Sequence, residues 1–170
     1  MTSRYHASCL CQQVTFSVAS FEPLVAHCHC TMCRKFHGAA FGTLAATQDL
    51  QWLSGHSLLK EFTAANGTVR TFCSECGSSI GFRSKGVAPE QMEVALGLFD
   101  QPIPVSPDTH IYTHYKANWY TIEDSLPQKA RGAAPECHSH LKAPVEALFF
   151  HFDLWSPQAS GDVQLTRVYS

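Results

Sequence analysis

The chain has 170 residues, 45% of them hydrophobic and 15% charged, enough apolar material for one domain with a core and an appendage. Its formal net charge is -2 and its pI is near 6.5, so it offers neither nucleic acid nor an anionic membrane surface an electrostatic attraction. No stretch reaches the roughly 18 apolar residues of a membrane-spanning helix.

The opening "MTSRYHASCLCQQ" has no signal-peptide or transit-peptide character, which predicts a cytoplasmic protein with reduced thiols. Its "CLC" is the first of three cysteine knots. "QQVTFSVAS" follows, where Val14, Phe16 and Val18 alternate as in a half-buried strand. "PLVAHCH" predicts a second strand that runs into the knot "CHCTMC". "RKFHG" predicts a short helical turn, after which "AFGTLAAT" resumes an extended path. "SLLKEFTA" and "TVRTFC" flank Asn66-Gly67, a strong hairpin signal. The third knot, "CSEC", is left by the return strand "SSIGFRS", and "QMEVALGLF" predicts one more strand. "QPIPVSP" reads as an extended loop, and "DTHIYTHYKANWY" as an aromatic band that serves as core or as the wall of a pocket. Short strands, turn residues and little helix indicate a mainly β domain over residues 1–132.

Residues 133–170 form a C-terminal extension. Val145, Leu148, Phe149, Phe152 and Trp155 fall at helical spacing, with Pro144 suited to a helix start and Pro157 to a stop. This predicts an amphipathic helix over about 144–155, through which the chain could form a homodimer. Leu148, Phe150, Phe152 and Leu154 also alternate, so a strand is the other reading.

Seven of the eight cysteines lie in the three knots: Cys9 and Cys11; Cys28, Cys30 and Cys33; Cys73 and Cys76. In a reducing compartment such clusters point to metal or catalysis rather than to disulfides. The C-x-x-C spacing lets the chain turn while both sulfurs face one ion, and Gly77 directly after Cys76 supplies a residue that tolerates positive φ. Seven thiolates divide as four, a closed tetrahedral zinc site, and three, a site with one position left open. Spacing alone leaves the partition undecided. Cys9 and Cys11 can join Cys73 and Cys76, or Cys30 and Cys33 can do so instead. Both sites can also be closed and structural, with His27, His29 or His37 as the eighth ligand.

The knots and their surroundings resemble the glutathione-dependent formaldehyde-activating enzyme family, which includes centromere protein V. The resemblance rests on "SCLCQQVTF", "AHCHCTMCRKFHGAAFGT", "GTVRTFCSECGSSIGF", "VALGLFDQP" and "PDTHIYTHYKANW", which run in order over about residues 5–127. It implies a β-tent fold with two Zn²⁺ ions. It also implies a structural zinc on Cys9, Cys11, Cys73 and Cys76, and a catalytic zinc with an exchangeable position on Cys28, Cys30 and Cys33. The activity implied is carbon–sulfur lyase chemistry, the joining of glutathione and formaldehyde to S-hydroxymethylglutathione. "GLFD" departs from the pattern, standing where relatives often carry an acidic pair, and the segment after about residue 132 lies outside the resemblance.

Three thiolates make zinc a mediocre Lewis acid for water but leave it able to hold a fourth thiol deprotonated beside an aldehyde. The alkoxide formed by thiol attack then needs a proton, for which His29, His37 and His110 are the candidate donors. Arg34 and Lys35 are candidate contacts for the thiol's carboxylates. The leading reading is therefore an enzyme that condenses a glutathione-like thiol with formaldehyde or a related small aldehyde. The alternatives are a non-catalytic zinc module that binds a protein partner, and a zinc store or redox sensor.

Overall fold

The computed structural model describes residues 4–131. The predicted helix at 144–155, the rest of the C-terminal extension and Cys137 lie outside the described residues. In chain order the strands are β1 (Tyr5–Ser8), β2 (Thr15–Val18), β3 (Ser20–Cys28), β4 (Gly42–Gln48), β5 (Gln51–Ser54), β6 (Leu59–Thr63), β7 (Val69–Cys73), β8 (Ser79–Arg83), β9 (Glu93–Ala95) and β10 (Thr109–Ile111). The α-helix among them, α1 (Thr31–His37), sits inside the middle cysteine knot. The domain is thus mainly β, and none of its described helices is long and apolar enough to cross a membrane.

A three-stranded sheet has the order β1-β2-β5, and a seven-stranded sheet the order β10-β3-β4-β9-β8-β7-β6. Pairing is antiparallel except between β10 and β3. The alternation of Val14, Phe16 and Val18 is realised as full burial, and these side chains join Ile80 and Val94 of the large sheet in one core. The core thus ties the two sheets together by apolar burial, the main favourable contribution to the fold.

The Asn66-Gly67 hairpin joins β6 to β7, but not through a two-residue turn with both residues left-handed. Gly67 alone takes positive φ (82°), and its N–H donates to the Ala64 carbonyl at 2.8 Å. A loop that ends on one left-handed glycine is the next commonest hairpin solution. "QMEVALGLF" departs further from expectation. Only Glu93–Ala95 is strand, and Leu96–Leu98 tightens into a 3₁₀ turn. Gly81 makes the pairing of β8 with β9 possible at close range, since a Cβ there would lie 2.2 Å from the Glu93 carbonyl oxygen. The strands β1, β5 and β10 carry too few residues to show a period in sequence.

Candidate metal centres

The first centre gathers residues far apart in the chain. Cys9 and Cys11 lie in the tight turn after β1, where Gln12 adopts a left-handed φ of 61° and donates its N–H to the Cys9 carbonyl. Cys73 ends β7 and Cys76 follows in the turn to β8. There Gly77 takes a φ of 72° and donates to the Cys73 carbonyl at 2.9 Å. The four sulfurs lie within 4.8 Å of one another, with Cys9–Cys11 at 3.4 Å and Cys11–Cys73 at 3.9 Å. Thiolates at about 2.3 Å from a tetrahedral ion stand roughly 3.8 Å apart, so the donor set fits such an ion.

The second centre is built by a strand end and a helix start. Cys28 closes β3, and Cys30 is the N-cap of α1, its sulfur accepting from the Cys33 N–H at 3.3 Å. Cys33 sits one helical turn on, so that all three sulfurs again lie within 4.8 Å. Gly38 ends the helix in a left-handed conformation (φ 60°), as a helix C-terminus favours. Three thiolates side by side repel one another. Neighbouring Cys30 pushes the Cys28 thiol far above its ordinary range. Cys33 is raised to about 11, with Cys28 as its largest influence acting to lower it against the raising effects of Cys30 and burial. A cation inverts this balance and favours the thiolates, so both donor sets suit a metal ion.

Arg70 supplies part of that positive charge. It projects from β7, is only 3% exposed, and places Nη1 and Nη2 each 3.6 Å from the Cys33 sulfur. Its guanidinium is sandwiched by aromatic contacts, 5.3 Å from the Phe36 ring centre and 5.1 Å from that of Phe82.

Above the three sulfurs lies a cavity of about 480 Å³, within the usual range for small-molecule sites. Leu44, Phe82 and Ile111 give it apolar wall, Arg70, Lys85 and Lys129 are its cations, and Glu93 and Asp108 its carboxyl groups. The aromatic band divides between roles. Ile111 and Tyr112 line the cavity, Tyr120 packs edge to face against Phe41, and Trp119 is 69% exposed.

The predicted proton donors are placed elsewhere. Side chains alternate between sheet faces along a strand, so Cys28 faces the cavity while its neighbour His27 faces away. On β10, Thr109 and Ile111 line the cavity and His110, opposite His27, faces away. There His29 Nε2 and His110 Nδ1 are 2.8 Å apart, and His110 Nε2 lies 3.0 Å from the Asp124 carboxylate. Burial lowers His29 to about 4. His37 is also lowered to about 4, by burial first and by the Arg70 charge second, and it is absent from the cavity lining. Arg34 and Lys35, on α1, do not line the cavity either.

Asp100 of "GLFD" belongs to a separate surface cleft with His6 and Ser8. The residues that sequence reasoning missed are Arg70 and Glu93. The one available signal was an isolated charge in the middle of an otherwise uncharged strand, as in "TVRTFC".

No curated protein matches the chain. A crystal structure of a Rhodobacter sphaeroides protein is similar to it with 21% identity and a TM-score of 0.45, covering 58% of this chain and 91% of that one. The glutathione-dependent formaldehyde-activating enzyme family matches residues 4–115, a span that contains all seven clustered cysteines, Arg70 and Glu93. With both sulfur clusters and all of the cavity lining except Lys129 inside the matched span, this chain belongs to the glutathione-dependent formaldehyde-activating enzyme family.

Proposed function

We propose that the cavity over Cys28, Cys30 and Cys33 condenses a glutathione-like thiol with formaldehyde or a related small aldehyde, giving an S-hydroxymethyl adduct. The observation that carries this reading is the contrast between the two donor sets. One has four sulfurs, as a closed structural site requires, and the other has three sulfurs at the floor of a cavity. Family membership supports the same chemistry.

Zinc on Cys28, Cys30 and Cys33 would hold an incoming thiol as its thiolate near neutral pH. The remaining work falls to the chain itself. Arg70, beside Cys33, offsets the negative charge that three thiolates concentrate in a buried place. Lys85 and Lys129 give the carboxylates of a glutathione-like thiol cationic partners inside the cavity. Leu44, Phe82 and Ile111 limit water around the reacting atoms, which strengthens each of these interactions. A cavity of this size favours an enzyme over a module that only binds a protein partner.

The test is the exchange rate between glutathione and S-hydroxymethylglutathione at equilibrium, measured by NMR with and without the zinc-loaded chain. Acceleration that disappears in Cys33→Ser is the expected result. A wild-type rate equal to the spontaneous one removes the founding activity of the family from this chain.

A further inference from the structure

Thiol addition to an aldehyde requires two proton movements. The incoming thiol gives up its proton, and the alkoxide on the former carbonyl oxygen takes one. His29 and His110 are committed to each other and to Asp124 on the far face of the sheet, and His37 does not line the cavity. Arg70 presents only hydrogen-bond donors and has no acceptor for the thiol's proton. The carboxyl groups that reach the cavity are Asp108 and Glu93.

Glu93 is the better placed of the two. Strand register sets Arg70 opposite Phe82 and Phe82 opposite Glu93, one row across β7, β8 and β9. Residues directly opposite point to the same face, and Arg70, Phe82 and Glu93 all line the cavity. The row therefore runs from the guanidinium at the Cys33 sulfur, across the Phe82 ring, to the Glu93 carboxyl. Strands about 4.8 Å apart put the Arg70 and Glu93 backbones about 10 Å from each other, with the Phe82 ring in the row between them as part of the cavity wall. The ion pairs among the described residues join Arg4 to Asp49, Arg83 to Glu61 and His110 to Asp124, so none of them engages Glu93. The absent side chain of Gly81 lets β8 approach the Glu93 backbone closely and fixes where the carboxyl starts.

We propose that Glu93 is the proton-transfer residue of this cavity, accepting the proton of the incoming thiol and delivering it to the alkoxide. The proposal rests on reading the cavity as a thiol–aldehyde site. As the S–H bond breaks, its proton passes to the Glu93 carboxylate. The sulfur pair then forms the S–C bond while the carbonyl π pair moves to oxygen. Glu93 returns the proton to that oxygen, so thiol plus aldehyde give the adduct with no redox change and Glu93 ends ionised as it began. Burial raises the Glu93 carboxyl above its ordinary range and the Arg70 charge opposes the shift, which moves it toward the neutral pH where one group can serve as both base and acid. The other ionisable groups of the cavity are Lys85, Asp108, Tyr112 and Lys129, besides the three thiols.

The experiment compares zinc-loaded wild type, Glu93→Gln and Glu93→Asp in full-length protein, each with its metal content measured. The first readout is the glutathione exchange rate. The second is the number of protons released when glutathione binds, obtained calorimetrically in buffers of different ionisation enthalpy. Glu93→Gln should keep two metal ions, lose at least ~100-fold in exchange rate, and release up to one proton more than wild type. Glu93→Asp, which keeps the carboxyl one methylene short, should recover part of the rate and the wild-type proton count. If wild type accelerates exchange and Glu93→Gln matches it, the Glu93 assignment is wrong while the thiol–aldehyde reading stands. If wild type binds glutathione without accelerating exchange, that reading fails, and equal proton counts in wild type and Glu93→Gln overturn the assignment separately. Failure of glutathione to bind wild type overturns both.

Discussion

Arg70→Met should weaken metal binding at Cys28, Cys30 and Cys33 selectively. The two guanidinium nitrogens stand 3.6 Å from the Cys33 sulfur. At an effective dielectric constant of about 20, unit charges at that separation attract by about 4–5 kcal/mol. Hydrogen bonds to a charged group retain about 1.5–3 kcal/mol of net stabilisation after desolvation. Arg70 is 3% exposed, so solvent screens little of this. Loss of about 2–3 kcal/mol corresponds to a roughly 30- to 150-fold fall in affinity. Methionine suits the test because its flexible thioether can fill the space between Phe36 and Phe82 and keep the aromatic contact. The assay is chelator competition, with the two centres followed separately by the thiolate-to-metal absorption of cobalt. The four-sulfur centre should keep wild-type affinity. Equal affinity of the three-sulfur centre in Arg70→Met and wild type would refute the electrostatic role of Arg70, and equal weakening of both centres would show only general damage. Arg70→Lys should fall between, since it keeps the charge and loses the planar two-point contact.

The two centres should also differ when a ligand is removed. Cys76→Ser should lose the cooperative unfolding transition, because a closed thiolate centre contributes folding free energy outright, whereas Cys33→Ser should unfold cooperatively and bind one metal ion fewer. Circular dichroism melts with metal analysis check this, and equal unfolding of the two variants would contradict the division of roles. A pH prediction concerns His37, whose folded-state value of about 4 lies below the ordinary 6.5. The unfolded chain takes up a proton that the folded chain refuses, so the contribution is full above pH 6.5 and is lost as pH falls toward 4. It amounts to about 1–3 kcal/mol after allowing for partial exposure. Urea denaturation of His37→Gln against wild type across that window should show a shallower loss of stability in the variant. Parallel curves would mean that His37 carries no such penalty.

The sequence by itself determined the chemistry on offer: seven cysteines in knots, spaced for metal, inside a chain of short alternating strands. Local rules were enough for this, because a knuckle, a strand period and a glycine at positive φ are decided within a few residues. The realised turn at Gly77 (φ 72°) and the burial of Val14, Phe16 and Val18 are of this kind.

The tertiary structure alone decided which knots meet. Spacing permits two partitions, and the end of β1 meets the β7–β8 turn only because the two sheets share a core. It also decided which face of β3 the cavity lies on. Adjacency in sequence put His29 beside two cysteines, yet alternation along the strand and pairing with β10 turned the histidines away. Arg70 and Glu93 come from strands that are remote from the middle knot in the chain, and no local pattern links them to it. Only the register of β7, β8 and β9 brings their charges to the cavity, where burial makes each of them matter.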